Sequence, residues 1–228
     1  VVSQQQWVTV AQVFDGDTFK TTSGEKVRLL NINTPEVMHD KQPSEPLSES
    51  AKLYLKSLVD GKMVRLEFDQ ERRDIYGRLL AHVYLSDGTW VNQALLQKGL
   101  AHIYTFAPNF KHVTQLRVYE RFAIEKGLGI WGVERFAMVP SRQVNANQVG
   151  EFHLIEGRVE AIEDRGWGFR SGNLRVSIPK KYRNLFPDAP FFNMPKQQLL
   201  RFRGRIFASQ QNGLYLALHS PFDMEMIQ

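Results

Sequence analysis

The 228-residue sequence contains no cysteine, which excludes disulfide staples, thiolate metal sites and thiol nucleophiles in any compartment. It has no apolar run long enough to span a bilayer. Its six histidines, His39, His82, His102, His112, His153 and His219, show no paired metal-ligand spacing, and His39 reads as a solvated loop side chain. Neither core material nor aromatics are scarce: 43% of residues are hydrophobic and 11% aromatic, so disorder and a coiled coil are excluded. The charge excess is small, net +5 with a pI of about 9.4; it suits a polyanionic partner without requiring one. The chain opens Val1-Val2-Ser3 without an initiator Met. A removed signal sequence or a trimmed boundary explains that start, and export to the periplasm or medium is the expectation.

The length suits one large or two small domains. Trp7 to Phe14 is rich in strand formers and stops at the turn trio Asp15-Gly16-Asp17. Thr18 to Thr22 and Lys26 to Ile32 continue a meander. A polar loop from His39 to Pro46 follows, then Leu47, Ala51, Tyr54, Leu55 and Leu58 at helical spacing, closed by Gly61. Met63–Phe68 and Leu79–Leu85 read as strands, and helices are expected near 91–98 and 113–126. This predicts a mainly β chain with helices (α+β), its residues 1–135 forming a five-stranded oligonucleotide-binding (OB) type barrel with appended helices. Residues 136–150 read as a linker. Residues 151–228 repeat a β-β-β-α-β-β order, which predicts a second, smaller OB-like barrel.

Three segments carry chemistry. Asp15-Gly16-Asp17-Thr18 puts two carboxylates at a strand end, where they can serve a hard cation, although Asp-Gly is also an ordinary hairpin turn. In Arg28 to Glu36 an arginine stands where alternation favours an apolar residue. A buried arginine needs an anionic partner, either a protein carboxylate or a phosphate. Thr34-Pro35-Glu36 extends the chain and sets Glu36 just past the strand end. Arg72 to Leu79 brings a second arginine, Arg78, beside a Tyr-Gly turn.

Taken in order, Asp15-Gly16-Asp17-Thr18, Arg28-Leu29-Leu30 with Thr34-Pro35-Glu36, and Asp74-Ile75-Tyr76-Gly77-Arg78 resemble the staphylococcal nuclease (thermonuclease-like) family. Val91 to Ala101, Pro108-Asn109 and Ile130-Trp131 extend the match to roughly residues 8–132. The resemblance implies a metal-dependent endonuclease acting on DNA, RNA or both and leaving 3′-phosphorylated products. Asp17 and the Thr34 carbonyl would be Ca²⁺ ligands, Glu36 the general base, and Arg28 and Arg78 the groups stabilising the transition state. Tyr76 and Tyr104 match positions that contact the nucleotide, with simple packing as the alternative reading.

The sequence departs from that pattern in places. Asn33 stands where the family usually has a second metal-binding Asp, so it offers a carbonyl oxygen without charge. Fewer ligand carboxylates predict weaker Ca²⁺ binding, with Asp15 the residue that would compensate. Phe106 replaces a frequent tyrosine, and Ile75 a phosphate-contacting lysine. A nucleic-acid-binding module that no longer turns over is the alternative function. In the second block, from Gly150 onward, eleven Lys/Arg stand against eight Asp/Glu. Arg201, Arg203 and Arg205 alternate on one strand and are expected to grip nucleic acid, extended by Arg158, Arg165, Arg170, Lys180 and Lys181. Trp167 and Phe169 are available to stack bases. No protein partner is evident.

Overall fold

A computed structural model of the chain describes residues 5–37, 43–211 and 213–227; His39 lies outside the described residues. Two compact units form, Val1–Arg135 and Phe136–Gln228.

In the first unit, β1 (Gln5–Val13), β2 (Thr18–Thr21) and β3 (Lys26–Leu29) form the expected meander. They are followed by β4 (Ile32–Asn33), α1 (Ser48–Val59), β5 (Met63–Glu67), β6 (Leu79–Leu85), α2 (Val91–Gln97), β7 (His102–Ile103) and α3 (Val113–Glu125). Five strands close a barrel in the order β1-β2-β3-β6-β5, antiparallel except for the parallel pair β3–β6. Closure depends on β1 serving two neighbours. Gln5 to Thr9 pair with β5, and beyond a register shift between Val10 and Gln12 the strand pairs with β2.

Ala51, Leu55 and Val59 fall at intervals of four on α1 and are all buried, which sets that helix's inner face. Asn92, fully buried on α2, accepts from Val83 N–H at 2.9 Å and donates to the Leu30 carbonyl at 2.9 Å. It thereby closes two backbone groups that would otherwise be orphaned, each at about 1–3 kcal/mol. On α3 the buried Glu120 accepts the Ile103 N–H at 2.7 Å and pins β7, which pairs with β4.

The second unit contains β8 (Val139–Pro140), β9 (Phe152–Arg158), β10 (Ala161–Glu163), β11 (Gly168–Ser171), β12 (Leu174–Ser177), β13 (Leu199–Ser209), β14 (Gly213–Ala217) and β15 (Met224–Met226). Its sheet runs β10-β11-β12-β14-β13-β9-β8, with β15 also on β13. The sequence of pairings follows that of the first barrel, including one parallel pair, β12–β14. The expected second closed barrel is nevertheless not formed; the sheet has eight strands and is open. The leading strand of this order is broken at Val159-Glu160. Val159 N–H donates to Gln198 on one side and Glu160 N–H to Arg170 on the other, leaving β9 on β13 and β10 on β11.

The segment 136–150, expected as a linker, is built into this unit. Here β8 pairs with β9, Val144 is fully buried, and Asn173 donates to the Arg142 and Val144 carbonyls. The core is centred on Phe169, Phe191 and Phe202, with ring centroids 4.7 and 5.5 Å from Phe169. Among the described residues, no helix is long and apolar enough to cross a membrane.

One buried group gives the first unit an acid limit. His82 on β6 is fully buried and donates its Nε2–H to the Lys111 carbonyl at 3.1 Å, against the rings of Trp90 and His112. Burial first, and then His112, push it down from an ordinary 6.5 to about 3. Below 6.5 the unfolded chain takes up a proton that the folded chain refuses. Stability is therefore full above 6.5 and falls by about 1.4 kcal/mol per pH unit on the way towards 3. Urea midpoints measured from pH 7 to 4 should fall more steeply for the unmodified protein than for His82→Gln.

Candidate active site

The Asp15-Gly16-Asp17 turn is built round one carboxylate. Asp17 is buried; its Oδ2 accepts Thr34 N–H (3.0 Å) and Thr34 Oγ1–H (3.1 Å) and forms an ion pair with the Arg28 guanidinium (3.1 Å). Its Oδ1 accepts Thr18 Oγ1–H at 3.0 Å. Gly16 is required by close approach: a Cβ there would lie 2.6 Å from the Ala51 Cβ and 2.7 Å from Thr34 Oγ1. Asp15 accepts the Asp17 N–H at 3.0 Å. Burial first, then the Asp17 carboxylate beside it, push Asp15 up to about 6. This corner holds more carboxylate than its arginine neutralises.

Arg28 is buried through a break in alternation. Asn31 takes a left-handed backbone (φ 61°), so Arg28, Leu29 and Leu30 are all buried before β4 resumes. The Arg28 guanidinium donates to the Leu29 carbonyl (2.7 Å), the Ile32 carbonyl (2.9 Å) and Asn33 Oδ1 (2.7 Å), besides pairing with Asp17. The partner demanded by a buried arginine is thus a protein carboxylate. Asn33 Nδ2 donates to the Thr34 carbonyl at 3.2 Å. Asp17, Asn33 and Thr34 therefore lie in one hydrogen-bonded cluster. Their carboxylate, amide and carbonyl oxygens, with Asp15 alongside, are hard donors of the kind that could hold a divalent cation, whose charge would offset the carboxylates.

Glu36 is exposed, but its backbone is clamped. Its N–H donates to the Glu45 carboxylate at 2.9 Å, and Glu45 N–H donates back to the Glu36 carbonyl at 3.0 Å. Arg135 holds the other Glu45 oxygen at 2.7 Å. The Glu36 carboxyl is raised above the usual range, by partial desolvation first and then by Asp17. Glu45 adds to this, while Arg28 and Arg78 oppose it. Residues far apart in sequence thus share one electrostatic neighbourhood.

Arg78 enters from the β5–β6 connection. Gly77 takes φ 77°, the left-handed value that glycine accepts without strain. Asp74 organises the turn by accepting Tyr76 N–H (2.9 Å), Arg78 N–H (3.0 Å) and Arg78 Nε–H (2.7 Å). A pocket of about 640 Å³ is lined by Arg28, Leu30, Tyr76, Arg78 and Phe106, among others. Tyr76 and Ile75 are 77% and 91% exposed; an aromatic held in water beside two arginines offers a face to a ligand. Tyr104 is not part of that lining and packs edge-on to Phe106 at 4.7 Å. Asn109 ties the two walls, accepting Glu71 N–H and donating to the Glu71 carbonyl, both at 2.8 Å.

Glu45, Arg135 and Asn109 carried no role in the sequence reading. They act through backbone groups and one long-range ion pair, and no residue pattern signals that. In the second unit, Arg203 is 3% exposed and buried. Arg201 pairs with Glu156 and Glu225, and Arg205 donates to the Gly150 carbonyl. The alternating arginines thus do not form an open row. Phe169 lies in the core, and Trp167 is half-buried under the Arg183 guanidinium. Neither is an open stacking surface.

Comparison with known proteins bears on the first unit. Residues 26–133 match the family described as Staphylococcal nuclease homologue. The chain is 43% identical over 129 residues to Endonuclease YncB of Bacillus subtilis (54% of this chain, 61% of the relative). It is 42% identical over 129 residues to the SPbeta prophage-derived endonuclease YokF of the same organism (54% and 43%). It is 37% identical over 125 residues to the Thermonuclease of Staphylococcus intermedius (54% and 74%). The match therefore spans less than two thirds of the two Bacillus relatives' length. It spans nearly three quarters of the staphylococcal one. On that match, and on the residues gathered at this end of the barrel, the chain belongs to the staphylococcal nuclease family.

Proposed function

We propose that the chain is a Ca²⁺-dependent endonuclease that hydrolyses DNA or RNA phosphodiesters to 3′-phosphorylated products. The observation that carries this is the convergence of Arg28, Glu36 and Arg78 with the Asp17–Asn33–Thr34 donor cluster. Arg28 and Arg78 are placed to take the non-bridging oxygens of a phosphodiester, and their hold strengthens as charge builds towards the transition state. Glu36 removes a proton from the attacking water as the new O–P bond forms. The bond to the 5′-oxygen breaks and that oxygen takes a proton from solvent. Tyr76 offers a face to the base or sugar. Asp17, the Thr34 carbonyl and Asn33 Oδ1 are the donors that would hold calcium, which when bound supplies Lewis-acid stabilisation. The strand order of the first unit supports its reading as an OB-type barrel.

A second reading, a nucleic-acid-binding module that does not turn over, draws support from Arg28. It occupies both Asp17 and Asn33 Oδ1, so a cation must compete with it. Cleavage of single-stranded DNA and RNA with Ca²⁺, against the same reaction in chelator, separates the two. The nuclease cuts only with the metal, and the binding module retains substrate uncut. Glu36→Gln should lower kcat by about 10²–10⁴-fold; an unchanged kcat removes Glu36 from the mechanism.

Two further outcomes follow from the local geometry. Asn33→Asp adds a carboxylate to the donor set and should lower the Ca²⁺ needed for half-maximal cleavage, on the order of tenfold. A titration superimposable on that of the unmodified protein would refute the role of Asn33. Glu45→Ala, which unclamps Glu36, should reduce kcat about tenfold with little change in KM, because it misplaces the base without touching the arginines. Glu45→Gln keeps an acceptor for Glu36 N–H and should recover most of the rate. A change confined to KM would place Glu45 in substrate binding instead.

A further inference from the structure

The second unit holds twelve Lys/Arg against eight Asp/Glu, so it carries +4 of the chain's +5 charge. Sheet register decides how part of that charge is displayed. On β11, β12, β14 and β13, Phe169, Val176, Leu216 and Ile206 point into the core and are fully buried. The alternate residues lie on the opposite face. There Arg170 is in register with Arg175, Arg175 with Tyr215, and Tyr215 with Phe207. Four strands thus present one row of two guanidinium groups followed by two aromatic rings.

The rings of Tyr215 and Phe207 are stacked, with centroids 5.5 Å apart and planes at 25°, and Phe207 is 39% exposed. Arg170 and Arg175 share a single carboxylate, Glu163, at 2.7 Å each. That holds both guanidinium groups in place on one carboxylate. Beside them, a pocket of about 190 Å³ is lined by the polar side chains of Arg170, Asn173, Arg175 and Gln211, together with Gly172 and Leu174.

The next row on this face is small: Gly168 is in register with Ser177, and Ser177 with Ala217. Past the buried Leu218 the chain returns to the same side at His219. Its ring lies 4.7 Å from that of Tyr182, with the Lys181 ammonium 4.6 Å over the tyrosine.

We propose that this face binds single-stranded nucleic acid, with bases stacking on Phe207–Tyr215 and phosphates held by Arg170 and Arg175. Rings set in a row with cations match the alternation of base and phosphate along an unpaired strand, whereas a duplex hides its base faces and offers phosphate alone. The proposal goes beyond the nuclease reading and stands without it. It also relocates nucleic-acid binding from Arg201, Arg203 and Arg205 to a different set of residues.

The test uses the full chain in excess chelator, with a fluorescein-labelled single strand of about ten nucleotides followed by anisotropy. Phe207→Ala with Tyr215→Ala should weaken binding at least about tenfold, whereas Phe207→Trp, which keeps a stacking face, should stay within about twofold. Should the alanine pair fail to fold, as judged by circular dichroism, Arg170→Glu carries the test. Its side chain is 60% exposed, and the reversal should weaken binding and flatten its salt dependence. Unchanged affinity in the folded variants overturns the proposal. So does displacement of the strand by polyglutamate of equal charge as effectively as by unlabelled strand, which would mark an acidic-protein surface. Binding is read in chelator and cleavage with Ca²⁺, so either activity can fail without the other.

Discussion

A single buried carboxylate, Asp17, joins three parts of the first barrel that are separate in sequence. It receives hydrogen bonds from its own turn through Thr18 and from the segment after β4 through Thr34, and it pairs with Arg28 of β3. A carboxylate buried this far requires such partners, because its desolvation is otherwise uncompensated. Arg28, which pairs with it, also donates to the Asn33 amide oxygen, and Asn33 in turn donates to the Thr34 carbonyl. Structural stability and chemical readiness here arise from one constraint, and Gly16 is what lets the chain pass closely enough to meet it.

Around that point the active end is assembled by clamps acting on backbone rather than on reactive atoms. Glu45, anchored by Arg135, fixes the main chain at Glu36. Asp74 fixes the turn carrying Tyr76 and Arg78, and Asn109 fixes that turn's base to the loop bearing Phe106. Each clamp satisfies peptide groups that would otherwise be left unpaired. Arg28 belongs to both parts of the candidate site, since it contacts Asp17 and Asn33 and also lines the pocket.

The second unit repeats the pairing scheme of the first but opens it, because its leading strand breaks at Val159-Glu160. Its core is independent, built on three phenylalanines and reinforced by Val144 from the stretch that resembled a linker. What it presents outward is a basic and aromatic sheet face rather than a reactive constellation.

Much of this was legible in the sequence. β6 and α2 lie within a residue of their expected bounds, since alternation and helical spacing are local properties. The segments carrying Asp17, Arg28, Glu36 and Arg78 were recognisable by residue type and order as a family pattern, because such a pattern is read along the chain. Tertiary structure alone decided the rest. Arg203 was expected outside and is buried, while Phe169 was expected to stack and fills the core. Alternation says which residues share a face but not which face meets water. The partners of Arg28, the Glu45–Arg135 clamp and the break at Val159 depend on contacts between segments distant in the chain. Only the packed fold sets those distances, and hydrogen bonds and ion pairs act over a few ångströms.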